Sequence, residues 1–343
     1  MGNDKNPKIT VLMPVYNCEL YIRESIESIL NQTFDDFEFL IIDDASTDKT
    51  LDIIKTYDDK RIKVIKKTSN TGLTNSLNYG LSIAKGEYIA RMDGDDISLI
   101  ERFAKQVFFL DRNPDTVLCG SFFKIIGTDE IITVPENHED IKLAMLKACC
   151  IGHPTVMIRK SYLDKFSLMY DVNKEPTEDY DFWTKLLKVG KLYNIQEILL
   201  NYRVHDSQVS KKRNLQQINM AIEIKINLLN NLGFVKNDYT QDLLKKVISR
   251  TTTISFKELN DFLDLKSELL LSNNEMAFFD KKLFEQYLLT IQNNLFKDYF
   301  LKTKIYKPKT FFQYLKIKKK CKFKLALFHE FKLAVKSIIF YKK

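Results

Sequence analysis

Between Lys8 and Arg91 the chain alternates two rhythms. Short apolar runs (Ile9 to Met13, Phe37 to Ile42, Ile62 to Ile65 and Tyr88 to Ala90) are separated by longer stretches with helical spacing. That alternation predicts βαβ units feeding a mostly parallel sheet flanked by helices, an α/β class. Leu20, Ile22, Ile26, Ile29 and Leu30 fall on one face at helical spacing before the polar Asn31-Gln32-Thr33, which predicts a first helix. A second is expected to start near Ser46, whose hydroxyl can cap the amides of a first turn.

From Arg102 to Arg203 the pattern is mixed. Pro135, Pro154 and Pro176 interrupt it, and Val156 to Ile158 is its one compact strand-like run, so this half is read as completing the same domain. Past Lys211 Gly and Pro become scarce, and Leu, Ile, Lys and Asn recur with helical periodicity to about Leu301. The expected organisation is a domain over 1–210, a helical region over 211–301 and a basic tail over 302–343.

The 343 residues suffice for about two domains, and 45% hydrophobic with 29% charged residues is a globular composition. Charge is unevenly placed. The tail carries 14 lysines, no arginine and one acid, Glu330, whereas the other 301 residues carry 39 basic and 44 acidic groups. A basic tail on an acidic body implies an anionic partner for the tail. Leu325, Phe328, Phe331, Val335, Ile338 and Ile339 fall near one helical face with Lys322, Lys324, Lys332 and Lys336 to flank it, the makeup of an interfacial amphipathic helix. Docking on an anionic membrane and packing of the tail on the acidic body both fit this pattern. Absence of arginine argues against specific nucleic-acid readout, so nucleic acid is not expected as a partner. Five cysteines without a CxxC spacing argue against a disulfide framework or zinc site, and Met1 to Lys8 lacks the apolar core of a signal peptide. No apolar stretch reaches the ~18 residues of a membrane span. These features predict a cytoplasmic protein, peripheral on the inner face of the cell membrane.

In a parallel α/β sheet ligands meet the residues that follow strands. After the first run comes Pro14-Val15-Tyr16-Asn17, after the second Asp43-Asp44-Ala45-Ser46-Thr47-Asp48, and after the fourth Asp93-Gly94-Asp95-Asp96. Three carboxylates within four residues repel one another unless a hard divalent cation, Mg2+ or Mn2+, sits among them; an acidic surface turn is the other reading. Asp44 could accept from a base N–H while Tyr16 offers an aromatic surface, although Ser46 and Asp48 also suit helix capping and Tyr16 also suits a core. The cluster Glu178-Asp179-Tyr180-Asp181, beside the single Trp183, can stabilise a helix N-terminus or supply a general base. His153 and His205 are not assigned as metal ligands by spacing, and Arg203 fits either a phosphate or a salt bridge to the body.

In order, "ITVLMPVYN", "FEFLIIDDASTD", "NTGLTNSLNYG", "AKGEYIARMDGDD", "ERF", "GHPTVMIRK", "EDYDFW" and "YRVHDSQVS" resemble a family 2 glycosyltransferase of bacterial surface polysaccharide biosynthesis, over about residues 8–210. The resemblance implies a glycosyltransferase-A fold and inverting transfer of a sugar from a nucleotide-diphosphate donor to a glycan or lipid-linked acceptor, as in capsule, O-antigen or lipooligosaccharide synthesis. It implies that Pro14, Tyr16, Asp43 and Asp44 hold the base and ribose, and that Asn75 lines the nucleotide site. It also implies that Asp93 and Asp95 form the DxD pair, with Asp95 as direct ligand of Mn2+ or Mg2+. Asp179 matches the base, with Glu178 as runner-up, and His205 matches a histidine that closes over the donor. Thr74-Asn75-Ser76-Leu77-Asn78 stands where many members have an Ala-Arg-Asn stretch, so the phosphate contact of that arginine is not carried over. A sugar nucleotidyltransferase is the main enzymatic rival, but the first strand lacks the Gly-rich basic loop that would cradle a triphosphate. A non-catalytic assembly scaffold is the other rival, and both acidic clusters being intact argues against it.

Overall fold

The computed structural model describes residues 6–205, 214–234, 237–250, 253–303, 305–321 and 323–342. They divide into two compact units, 1–224 and 225–343.

The first unit contains strands β1 (Ile9–Val15), β2 (Phe37–Asp43), β3 (Ile62–Lys66), β4 (Tyr88–Arg91), β5 (Ile97–Ser98), β6 (Thr116–Ile125), β7 (Ile131–Ile132), β8 (Met157–Arg159) and β9 (Lys191–Tyr202). Its helices are α1 (Ile22–Leu30), α2 (Thr50–Ile54), α3 (Leu73–Ile83), α4 (Arg102–Arg112), α5 (His138–Ala144), α6 (Lys160–Phe166) and α7 (Glu178–Leu186). Among the described residues one sheet runs β3-β2-β1-β4-β8-β6-β9-β5, with β7 on β6. The half built from the alternating segment is parallel as expected. The irregular half joins the same sheet but makes it mixed: β8 is antiparallel to β4 and β6, β5 to β9, and β7 to β6, while β6 and β9 are parallel. The pattern left β6 and β9 unread because polar residues such as Ser121, Asn194 and Gln196 break their apolar runs.

β1, β2 and β4 are buried at every position, which is why their sequences are continuous rather than alternating. On one face Val11, Met13, Phe39 and Ile41 pack with Ile22, Ile26 and Ile29 of α1 and Phe103 and Val107 of α4. On the other, α3 presses so closely that a Cβ at Gly80 would lie 2.2 Å from Leu12 Cδ1. Two local expectations shift. Leu20 precedes α1 and is exposed, because the helix begins only at Ile22. The second helix starts at Thr50, where Asp48 Oδ1 accepts from the Thr50 amide (2.9 Å); Ser46 Oγ instead accepts from the Asn17 amide (3.0 Å).

α8 (Asn214–Leu229) runs across the boundary at residue 224, and the second unit continues with α9 (Asp238–Ser249), α10 (Phe256–Met276), α11 (Lys281–Leu301), α12 (Pro308–Cys321) and α13 (Leu327–Ile338). Capping boxes start α9 at Asn237 and α10 at Ser255. The lysine-rich residues fold into this core: Phe323 meets Phe296 edge-on at 5.1 Å, and Tyr314 meets Phe300 at 5.5 Å. Among the described residues no helix is long and apolar enough to cross a membrane.

Candidate active site

β1, β2 and β4 run parallel side by side, so the loops that leave them emerge at one end of the sheet. The β1 and β2 loops are stitched together. Asn17 Oδ1 accepts from the Thr47 amide (2.8 Å), Thr50 Oγ1 from the Cys18 amide (2.7 Å) and Asp48 Oδ2 from the Glu19 amide (3.0 Å). Asn17 and Ala45 have positive φ, 53° and 61°, so each loop reverses sharply at a non-glycine residue. Pro14 is buried within β1 beside Ile42. Tyr16 is 46% exposed, which removes the core reading and leaves its ring open at the loop surface.

Asp44 is buried and accepts from the amides of Thr71 (3.1 Å) and Gly72 (2.9 Å), while Lys67 Nζ lies 2.6 Å from its Oδ1. Asp43 receives the Ser46 amide on Oδ1, but its Oδ2 is buried and unpartnered among the described residues. Asn75 is exposed and donates to the Thr71 carbonyl (2.7 Å), on the turn of α3 that faces Asp44 through Thr71 and Gly72. Lys67, which the sequence did not single out, also donates to Ser76 Oγ (3.0 Å). It supplies a cation beside the segment where the family's arginine is missing.

The β4 loop passes against the end of β1: a Cβ on Gly94 would sit 2.8 Å from Val15 Cγ1 and 3.2 Å from Cys18 Sγ, so only glycine fits. This brings carboxylate oxygens of Asp93, Asp95 and Asp96 within 4.8 Å of one another. Arg91, 3% exposed, forms an ion pair with Asp93. Asp95 Oδ2 lies 2.8 Å from His205 Nε2. Asp96 is wholly buried; its Oδ1 accepts from the Arg203 amide (2.8 Å) and its Oδ2 has no partner among the described residues. Burial pushes the Asp93 and Asp96 carboxyls upward, and the neighbouring aspartates push in the same direction. Packed carboxylates with one orphaned buried oxygen fit a hard divalent cation better than a surface turn, which would face water.

Residues 203–205 close this loop from the far side. Arg203 Nε donates to the Asp95 carbonyl (2.8 Å), its Nη2 pairs with Glu24 (2.6 Å), and its guanidinium lies 4.6 Å from the Tyr21 ring centre. Arg203 thus makes the salt bridge to the body that was one of its two readings. The rest of the closing stretch, from Asp206, lies outside the described residues.

Glu178 and Asp179 open α7, in the first turn, as the helix N-terminus reading has it. Asp179 Oδ1 accepts from the Tyr180 amide (2.6 Å), and its Oδ2 lies 3.9 Å from Cys149 Sγ. Glu178 is buried with Oε2 unpartnered among the described residues. Burial holds both carboxyls above the usual range, and Asp179 raises Glu178 further. The positive charge of Arg91 acts on Asp93 and on Asp179, which puts the two acidic clusters in one electrostatic neighbourhood. His153 is structural: its Nε2 meets Tyr170 Oη at 3.1 Å, and burial keeps the ring well below its ordinary basicity.

Sequence reasoning passed over Arg91 and counted Asp96 among the three carboxylates without seeing that it is buried. A charge in the last position of an otherwise apolar strand run was the available signal for Arg91. Arg102, in the "ERF" motif, is wholly buried and donates to the carbonyls of Arg91 (2.8 Å) and Val156 (3.2 Å), anchoring the exit of β4.

The glycosyl transferase family 2 profile matches residues 10–169. An uncharacterized glycosyltransferase of Haemophilus influenzae is 37% identical over 233 residues, covering 64% of this chain and 72% of the relative. Escherichia coli WfaP, a UDP-Glc:alpha-D-GlcNAc-diphosphoundecaprenol beta-1,3-glucosyltransferase, is 33% identical over 220 residues, covering 63% of this chain and 85% of WfaP. Among solved structures, residues 1–349 of S. aureus TarS in complex with UDP-GlcNAc superpose with a TM-score of 0.58 at 20% identity, covering 84% of this chain and 89% of that fragment. The sheet with flanking helices is therefore of the glycosyltransferase-A type, and the chain belongs to glycosyltransferase family 2.

Proposed function

We propose that this protein is an inverting hexosyltransferase that moves a sugar from a UDP-linked donor to a hydroxyl of a glycan or lipid-linked acceptor during surface polysaccharide assembly. The observation that carries this reading is a pair of acidic clusters that share the charge of Arg91: the Asp93, Asp95 and Asp96 triad with its orphaned buried oxygen, and Asp179 at the start of α7. The UDP-GlcNAc complex of TarS supports the donor class, and the diphosphoundecaprenol acceptor named for WfaP supports the acceptor class.

Asp43, Asp44 and Tyr16 would hold the base and ribose, with Pro14 and Asn75 shaping the pocket. Asp179 would take the proton from the acceptor hydroxyl as that oxygen attacks the anomeric carbon, while the bond from that carbon to the diphosphate breaks. Attack opposite the leaving group inverts the centre. Asp95 and Asp93 would hold Mn2+ or Mg2+, with Asp96 behind them and His205 on Asp95. Such a cation, when bound, supplies charge compensation for the departing nucleoside diphosphate. The elevated affinity of Asp179 for protons is what a general base working near neutrality needs. The enzyme would work on the cytoplasmic face, with residues 302–343 meeting the anionic membrane that carries the acceptor.

Calorimetry with UDP-glucose, UDP-galactose, their N-acetylated forms and GDP-mannose, with and without Mn2+, tests this. Mn2+-dependent binding of a UDP-sugar is expected. Failure of every donor to bind, or pyrophosphate release from a sugar phosphate and a nucleoside triphosphate, would overturn it.

A further inference from the structure

Membrane docking and packing on the body both fit the lysine-rich residues; they complete a folded helical unit and leave one face of it exposed. On α13, Leu333 and Ser337 face inward and are almost fully buried, and Leu325, which the periodicity had placed on the apolar docking face, is buried too. Leu327, Phe328, Phe331 and Ile338 are 69 to 87% exposed, with Ile339 and Phe340 close behind. At 100° per residue, Leu327, Phe328, Phe331, Val335 and Ile338 fall within roughly a third of the helix circumference. This is a contiguous stripe of large side chains, whereas single exposed apolar residues elsewhere need no explanation.

Charge around the stripe is one-sided. Lys324, Lys332 and Lys342 are exposed. The tail's one acid, Glu330, pairs with Lys318 (2.6 Å) and accepts from Tyr314 Oη (3.0 Å). We infer that the exposed face of α13 inserts into the interface of an anionic bilayer, with Phe328, Phe331 and Ile338 in the acyl boundary and Lys324, Lys332 and Lys342 on the headgroups. A second copy of the chain fits the stripe less well, because pairing two such faces would set Lys324, Lys332 and Lys342 of one copy against those of the other. Tyr306 Oη donates to the Leu301 carbonyl (2.8 Å), the Tyr306 amide to the Tyr341 carbonyl (2.9 Å), and Lys336 lies over both rings, so the face is presented already folded. Docking therefore costs no coupled folding.

This deepens the proposed membrane site of action, but its test measures no sugar transfer, so either reading can fail while the other stands. Full-length protein is floated with phosphatidylcholine vesicles and with vesicles containing phosphatidylglycerol. Binding at least tenfold stronger to the anionic vesicles is expected. Phe328→Asp with Phe331→Asp should weaken it by at least tenfold with an unchanged circular-dichroism spectrum, and Lys324→Gln with Lys332→Gln should weaken it and flatten its salt dependence. As a second measurement, Phe331→Trp should show a blue-shifted emission on adding anionic vesicles. Flotation of the double aspartate variant equal to wild type, or an unshifted Phe331→Trp spectrum, overturns the inference. So does a wild-type protein that ignores vesicles but sediments as a dimer the aspartates dissociate.

Discussion

The two units break the ordinary sorting of residues in opposite directions. The sheet-bearing unit hides charge: Arg91, Asp43 and Asp96 are buried, and two of their carboxylate oxygens have no partner among the described residues. The helical unit shows apolar surface: Phe328, Phe331 and Ile338 stand in solvent beside lysines. Each departure costs free energy in the isolated chain. Each is also relieved by something from outside it, a cation and a diphosphate in the first case and a bilayer in the second, on the functions proposed above. Departures from local consistency are where function is to be sought.

The largest effect that could break this contrast is chemical. Asp179→Asn should lower transfer by about 10² to 10⁴-fold, the usual worth of a general base, while calorimetry shows donor binding retained. Near-normal transfer would move the base to Glu178. Next, Asp95→Ala should reduce Mn2+-dependent donor affinity by roughly 10 to 100-fold; equal affinity in excess chelator would remove the cation from the site.

The pH profile sharpens the first region further. A base must be deprotonated, so the rate should climb about tenfold per pH unit up to a midpoint above the ordinary aspartate value of about 3.9, because burial raises Asp179. A folded-state value raised in this way also means that stability from this corner is kept at low pH and declines as pH rises through the raised value. A kinetic midpoint at or below the ordinary value would show the carboxylate to be solvated rather than buried.

The smallest effects compare two faces of one helix. Leu333→Ala, which empties a buried position of α13, should cost about 2 to 5 kcal/mol in urea unfolding. Phe331→Ala, on the exposed stripe, should change stability by no more than ~0.5 kcal/mol. Similar losses from both would mean that something in the chain covers the stripe.

What the sequence determined by itself was whatever is written in short windows. Short apolar runs set β1, β2, β3 and β4 within two or three residues, helical spacing set α1 and the helices after residue 211, and the acidic tetrads announced the two chemical clusters. Strands β6 and β9 were not legible, since their burial depends on partners far away in the chain rather than on their own alternation. Nor was the setting of the carboxylates. That Asp96 is buried beneath Arg203, 107 residues later, and that Asp95 meets His205 both follow from which strands the sheet places side by side. The same holds for the basic tail, whose charge was evident from composition but whose division into a packed face and an open one was decided by Tyr314, Phe323 and Leu333 reaching a core. Local pattern specifies which groups a segment carries; the dielectric and the neighbours that give those groups their chemistry exist only once distant segments have packed.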